Sequence, residues 1–347
     1  MGRLVLITEP VHADAVALLR AQGFEVIGPA APFQPADALL VRTRAITAAE
    51  VVQFSLVSKH GVGVDNIPMA AAAAAGVAVM NTPGANASAV AEQALMLMLA
   101  LARNLDGQRA AVPGGPMPPV QGLEGRRLLV VGFGASGKRV AALAKVLGMA
   151  VTIHSRDLKE ARHLGYPVAP DFDKALTQAD IISLHCPLTA QTQNLLDAEA
   201  FARMPQGAMV VNCARGGLID EAALIAALNS GHLGGAGLDV TVQEPLPMDA
   251  PMRHTPNVIL TPHAATLSDG AFRRMGMMAA QNIIDFFAGR AQRRAQAFAQ
   301  GLKRFPLWFT YVQGPLKRLG GRHGQLRMHL PKGELAEYGN LTRRNRP

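Results

Sequence analysis

One short segment constrains this chain more than any other. Leu128-Leu129-Val130-Val131 is an apolar run of strand character, Gly132-Phe133-Gly134-Ala135-Ser136-Gly137 follows it without a break, and a helical pattern continues to Leu147. A GxGxxG spacing alone is a weak signal, but between a strand and a helix it is the turn on which dinucleotides sit. The glycines allow a tight turn and close backbone approach to a pyrophosphate. The helix N-terminus adds free N–H groups and the positive end of its dipole. Gly132, Gly134, Ala135, Ser136 and Gly137 are therefore assigned to a dinucleotide cofactor. A glycine-rich turn without a ligand is the alternative.

The flanking sequence supplies the context such a turn needs. Strand signals at Leu4–Thr8, Phe24–Ile27 and Ala38–Val41 alternate with a helix from Asp14 to Gln22 that Gly23 stops, and Thr47 with Glu50 has the spacing of a capping box. Ala87 to Asn104 reads as one long helix capped by Ser88, apolar nearly all round and so able to pass between domains. After a loop at Pro113–Pro119 come strands at Leu128–Val131, Val151–His154, Ile181–His185, Ala208–Asn212, Gly237–Val240 and Val258–Thr261, then a helix from Phe272 to Ala288. This alternation implies parallel sheets covered by helices. The expected architecture is α/β with two Rossmann-like domains. A cofactor-binding domain over residues 100–286 is inserted into a smaller substrate domain over 1–99, which about 287–300 complete.

In a dinucleotide fold an acid about 20 residues past the first glycine usually holds the ribose 2′-OH. Here Ser155 stands at that place, 23 residues after Gly132, with Arg156 and Asp157 next. Ser155 and Arg156 suit a 2′-phosphate, which an acid would repel. NADP is therefore favoured over NAD, and NAD stays open through Asp157.

Ligands of open α/β sheets bind beyond the carboxyl ends of the strands. Three polar residues fall there: Arg215 after Ala208–Asn212, Glu244 after Gly237–Val240, and His263 after Val258–Thr261. Each alone has an ordinary reading, as a surface turn or a satisfied loop residue. Together they form a set able to reduce a 2-oxo acid. A guanidinium takes a carboxylate on two parallel hydrogen bonds, and a His–Glu pair is a tunable proton donor near neutral pH.

Taken in order, these segments resemble the D-isomer-specific 2-hydroxyacid dehydrogenase family over residues 1 to about 290. The matching pieces are Lys59-His60-Gly61-Val62-Gly63-Val64-Asp65-Asn66, Asn81-Thr82-Pro83-Gly84-Ala85-Asn86 with Val90-Ala91-Glu92, and the glycine loop. Further on come His185-Cys186-Pro187-Leu188-Thr189, Asn212-Cys213-Ala214-Arg215-Gly216-Gly217, Leu238-Asp239-Val240 with Glu244-Pro245, and Pro262-His263-Ala264. The resemblance implies that the smaller domain is flavodoxin-like and that the reaction moves a hydride between NAD(P)H and C2 of a small 2-oxo or D-2-hydroxy acid, such as glyoxylate, hydroxypyruvate or a 3-phosphoglycerate-like compound. It implies that Arg215 binds the substrate carboxylate, that His263 is the general acid and that Glu244 holds His263. Formate dehydrogenases carry Gln at the last position, so formate is disfavoured. By the same resemblance Val62 and Gly63 offer backbone N–H groups to the substrate and Arg42 and Thr43 belong to a substrate-facing loop with Arg44. Asp239 contacts the nicotinamide amide, and Val90, His185, Pro187, Thr189, Cys213 and Ala214 lie at the cofactor.

The net charge of +9 is unevenly placed: residues 291–347 hold 12 Lys/Arg and 2 Asp/Glu, against 22 and 23 before them. The basicity therefore gives no nucleic-acid argument for residues 1–290. The family pattern stops after Arg290, and 301–347 is expected to be a poorly ordered basic extension. Between Thr47 and His60 the chain is a few residues shorter than the family usually is. The two cysteines, Cys186 and Cys213, have no metal-like spacing, so no metal and a reduced, cytoplasmic setting are expected. The longest apolar run, Met69–Met80, has 12 residues and is too short to span a bilayer. Ala94–Leu101 is too apolar for one chain to hide, which points to a homodimer. A second function class is a dinucleotide-sensing corepressor or scaffold with the basic segment as a binding arm. That reading needs the glycine loop, but not Arg215, Glu244 and His263 together.

Overall fold

The computed structural model describes residues 2–290. The basic segment 291–347, with the expectations placed on it, lies outside the described residues, as does the part of the small domain expected beyond 290.

The first sheet contains β1 (Leu4–Ile7), β2 (Glu25–Ile27), β3 (Ala38–Val41), β4 (Leu56–Lys59) and β5 (Ala78–Met80), all parallel in the order β2-β1-β3-β4-β5. This is the doubly wound order of flavodoxin-like folds. Helices α1 (Ala13–Ala21), α2 (Ala48–Val51) and α3 (Met69–Ala75) connect the strands. β3 and β4 are buried throughout, as strands covered on both faces must be. The capping box is present: Thr47 Oγ1 accepts from Glu50 N, and Glu50 Oε2 accepts from Thr47 N. The sequence reading missed β4 and β5. β4 carries Ser58 and Lys59 in an apolar setting, and β5 is hidden in the alanine-rich run, which Gly76 splits by ending α3 in the left-handed region.

The helix expected from Ala87 to Asn104 is present, two residues shorter, and a second helix that was not expected follows it. α4 (Ala87–Ala102) ends, and Asn104, at φ 47°, caps α5 (Leu105–Ala111) by accepting from Gly107 N. Ser88 lies inside the first turn of α4, which Asn86 precedes without a side-chain cap. Nor is α4 buried all round. Ala94, Leu97 and Met98 are fully buried, but Met96 and Leu99 are 44% and 42% exposed.

The second sheet is built from β6 (Arg127–Val131), β7 (Ala150–His154), β8 (Ile181–Leu184), β9 (Ala208–Asn212), β10 (Leu233–Leu238) and β11 (Val258–Leu260), parallel in the order β11-β10-β9-β8-β6-β7. A single bridge from Ile153 to Val168 extends the edge beyond β7. Counting that bridge as a strand, the order is that of a dinucleotide-binding sheet, with its switch point between β6 and β8. β10 begins four residues before the expected Gly237–Val240, because Leu-Gly-Gly-Ala-Gly-Leu has little strand propensity and the pairing with β9 and β11 overrides it. Helices α6 (Ala135–Val146), α7 (Lys159–His163), α8 (Phe172–Leu176), α9 (Ala198–Arg203) and α10 (Glu221–Asn229) flank this sheet. The last helix, α11 (Asp269–Phe287), returns to the first sheet. Its Ala279, Ala280, Ile283 and Ile284 share a core with Val5, Leu40 and Leu56, and Ser58 Oγ donates to Ala279 O at 2.9 Å. Among the described residues no helix is long and apolar enough to cross a membrane.

Candidate active site

The strand ends of both sheets open on one cleft of about 830 Å³. Its lining takes Arg42 and Thr43 from the end of β3, Lys59 to Gly63 from the end of β4, Arg215 from the end of β9, Asp239 and Glu244 from beyond β10, His263 from beyond β11, and Phe272 from α11. The structure thus brings together the residues assigned to the substrate and to proton transfer, although they come from five separate segments.

His263 Nδ1 and Glu244 Oε2 are 2.7 Å apart, both partly exposed. Burial pushes the Glu244 carboxyl up, but the hydrogen bond and charge of His263, the Thr241 N–H and the Arg215 charge outweigh it and hold it below its ordinary value. His263 has a left-handed backbone, φ 52°, uncommon for a residue with a β-carbon. Its own N–H donates to the Asp239 carbonyl at 2.8 Å. The neighbouring N–H groups of Ala264 and Ala265 donate to the Asp239 carboxylate at 2.8 and 2.9 Å, and Thr261 Oγ1 donates to it at 2.6 Å. Asp239 is 1% exposed and these donors, with Gln93 Nε2 at 3.3 Å, engage both its oxygens. The Asp239 carboxylate, which lines the cleft, thus anchors the loop that carries His263.

Arg215 is held as firmly. Its Nε donates to Asp65 Oδ2 at 2.7 Å and its Nη1 to Ala214 O at 2.6 Å, which leaves Nη2 without a hydrogen bond among the described residues. Asn212 brackets the same turn, its amide donating to Arg215 O and its carbonyl accepting from Ala214 N. The guanidinium lies so close to Gly63 that a β-carbon there would sit 1.4 Å from Nη2. Only glycine permits this approach of the cation to the Val62-Gly63 backbone. Asp65, Asn212, Gln93 and Thr261 were not singled out as site residues. The only sequence signal for them was their place inside matched segments or beside strand ends.

Arg42, Thr43 and Arg44 separate. Arg42 stacks over Phe272 at 5.0 Å in the cleft, whereas Arg44 turns away to Glu50 at 2.6 Å and the Phe33 ring at 4.3 Å. Lys59 is buried beside them, its Nζ donating to Asn66 Oδ1 at 2.6 Å and to the Arg42 carbonyl. Burial pulls the Lys59 amine down to about 8.

The other residues assigned to the cofactor gather at the switch point rather than in this cleft. Gly132 has φ 97° and packs on the end of β8, where a β-carbon would lie 2.7 Å from the His185 carbonyl; a side chain is excluded on both counts. Gly134 precedes α6, no side chain caps that helix, and Gly134 and Ala135 are exposed while Ser136 is half-buried. His185 Nε2 pairs with Ser183 Oγ at 2.8 Å, and its buried Nδ1 has no partner among the described residues. An uncapped helix start, a turn closed to any β-carbon and an orphaned buried nitrogen fit a dinucleotide at this edge. Pro187 and Thr189 are exposed beyond β8, Cys213 and Ala214 follow β9, and Val90 packs in the core with Val130 and Phe133. Ser155 is half-buried and Arg156 exposed at the end of β7; Asp157 Oδ1 is taken by the N–H of Lys159 at 2.9 Å.

Comparison with known proteins agrees with this geometry. Residues 95–265 match the family model described as D-isomer specific 2-hydroxyacid dehydrogenase, NAD binding domain. A D-3-phosphoglycerate dehydrogenase of Methanocaldococcus jannaschii is 35% identical over 296 residues, 80% of this chain and 56% of that one. The chain therefore spans little more than half the length of that relative. A Haemophilus influenzae protein assigned as a 2-hydroxyacid dehydrogenase is 37% identical over 254 residues, 69% of this chain and 80% of that one. Among solved structures, a Thermus thermophilus protein superposes with a TM-score of 0.75 at 35% identity, over 83% of this chain and 97% of its own. An NADPH-dependent glyoxylate/hydroxypyruvate reductase of Sinorhizobium meliloti, solved with NADP and malonate, superposes at 0.74 with 26% identity, over 83% and 94%. With its fold and most of its length shared with these proteins, the chain belongs to the D-isomer specific 2-hydroxyacid dehydrogenase family.

Proposed function

We propose that this protein is an NAD(P)H-dependent reductase of small 2-oxo acids, working reversibly on the D-2-hydroxy acids. The observation that carries this reading is the His263–Glu244 pair at 2.7 Å sharing one cleft with Arg215 and the Val62-Gly63 backbone. When bound, NAD(P)H supplies the hydride that C2 accepts. Arg215 Nη2, the guanidinium donor left free, binds the substrate carboxylate together with backbone N–H groups of Val62 and Gly63. His263 gives a proton from Nε2 to the oxygen at C2, while the Glu244 carboxylate at Nδ1 orients the ring and favours imidazolium. Asp65 and Asn212 position Arg215, and Asp239 positions His263. Arg42 and Lys59, cations beside the cleft, suit a substrate with a second anionic group. A cofactor sensor needs only the glycine turn, so the assembled acid and clamp favour catalysis over the corepressor reading.

NADP is the cofactor this reading prefers. Arg156 is exposed beside Ser155, and the Asp157 carboxylate is engaged by Lys159 N. A charge-assisted hydrogen bond to a 2′-phosphate is worth about 1.5–3 kcal/mol, roughly 10- to 150-fold. In steady-state assays of glyoxylate, hydroxypyruvate and phosphohydroxypyruvate with both cofactors, NADPH is expected to exceed NADH by at least about tenfold in kcat/KM. Ser155→Asp combined with Arg156→Pro should reverse the order, and rising salt should weaken the original preference. Equal use of both cofactors would show that Arg156 does not reach the ribose.

Assembly as a homodimer belongs to the same proposal. Met96, Leu99, Leu105 and Val112 are 44%, 42%, 47% and 82% exposed along α4, α5 and the residue after it, more apolar surface than a lone helix pair usually shows water. Light scattering should give twice the chain mass; a stable, active monomer at micromolar concentration would contradict it.

A further inference from the structure

We propose that Glu9 is a positioning residue for substrate binding, which shapes the cationic end of the cleft so that it receives a second anionic group on the substrate. The inference rests on reading the cleft as a 2-oxo acid site, and it concerns a residue that does not line that cleft.

Glu9 follows β1, and β1 pairs with β3, so the two strand ends bring Glu9 beneath the Arg42–Arg44 turn. Its Oε1 accepts from Thr43 N at 2.5 Å, Thr43 Oγ1 at 2.9 Å and Arg44 N at 2.7 Å. Its Oε2 accepts from Arg42 N at 2.9 Å and Thr8 Oγ1 at 2.5 Å. Three successive backbone N–H groups on one carboxylate make an anion-binding concavity, here filled by the chain itself. Burial would raise this carboxyl, but the hydrogen bonds from Arg42 N, Thr8 Oγ1, Arg44 N and Thr43 N overcome it and bring it to about 2, so Glu9 is ionised at neutral pH.

The consequence lies in the side chains above the turn. With its backbone fixed on Glu9, Arg44 points to Glu50 and Phe33, and Arg42 points inward over Phe272 with Nη1 on Pro10 O at 3.1 Å. The Arg42 carbonyl in turn accepts from Lys59 Nζ. Glu9 therefore places both cations. It also acts on Lys59 by charge: burial, Arg42 and Arg215 disfavour the ammonium, while Glu9 and Asp65 favour it. The Lys59 charge is full only well below about 8 and is lost as pH rises through that value. Removing the Glu9 charge moves the loss to lower pH.

Glu9→Gln tests this. Against phosphohydroxypyruvate its KM should rise about tenfold or more, whereas KM and kcat for glyoxylate, which has no second anion, should stay within about twofold. The pH at which KM for phosphohydroxypyruvate begins to climb should fall below that of the parent enzyme. Glu9→Asp, which keeps the charge, should restore the pH profile and part of the affinity, and it serves as the test if Glu9→Gln fails to fold. Equal rises in KM for both substrates, an unmoved pH profile, or a Glu9→Asp enzyme as impaired as Glu9→Gln would overturn the proposal. A parent enzyme that reduces glyoxylate but gains nothing from the phosphate would also overturn it while leaving the reductase reading intact. A parent enzyme that reduces neither acid would fail that reading itself.

Discussion

Replacing His263 by alanine is expected to lower kcat by about 10²- to 10⁴-fold, the range a positioned general acid supplies. The geometry makes the residue hard to substitute from elsewhere. The ring is set by Glu244 at 2.7 Å, and its backbone by Asp239, whose carboxylate also takes the N–H groups of Ala264 and Ala265. Cofactor affinity, read by fluorescence titration with NADPH, should be nearly unchanged, because the glycine turn lies at the switch point of the second sheet and outside the cleft. Near-normal turnover would sink the assignment. Glu244→Gln separates charge from position. Glu244 lies below its ordinary carboxyl value and is ionised at neutral pH. An amide can still accept from Nδ1 but no longer favours imidazolium, so the basic limb of the reduction profile should shift to lower pH with activity retained.

Arg215→Lys should cost about 10- to 150-fold in kcat/KM for every 2-oxo acid tested, as the loss of one charge-assisted hydrogen bond implies. Lysine keeps the charge but not the planar fork. In the parent protein Nε is committed to Asp65 and Nη1 to Ala214, which frees Nη2 beside Gly63. A single ammonium cannot meet Asp65, Ala214 and a carboxylate in those directions at once. The loss should be uniform across substrates that differ only beyond C2, since the carboxylate is common to all. An unaltered KM would mean that the carboxylate is held elsewhere, at Arg42 or Lys59.

Much of this was legible in the sequence because it depends on local order. The glycine turn needs only a strand before it and a helix after it, and Arg215, Glu244 and His263 are found by their places past strand ends. What was hidden depends on distant partners. Asp65 meets Arg215 across 150 positions, and Glu9 meets the Arg42 turn across 33. Nothing in the spacing of either residue marks it. Asp239 also anchors the His263 loop, a tie across 25 positions that no local pattern shows. β10 was misplaced because its glycines weaken the strand signal, and β5 because alanines obscure the boundary after α3. The short helix α5 was not anticipated because composition does not show that Asn104 turns left-handed and starts a new helix.

The most direct test of the account follows the hydride itself. Incubating the purified full chain with NADPH deuterated at C4, on one face or the other, and hydroxypyruvate should oxidise the cofactor and place deuterium at C2 of the hydroxy acid from one face only, with the product in the D configuration. Product deuterated from neither face, or cofactor left reduced with every 2-oxo acid tried, would contradict it.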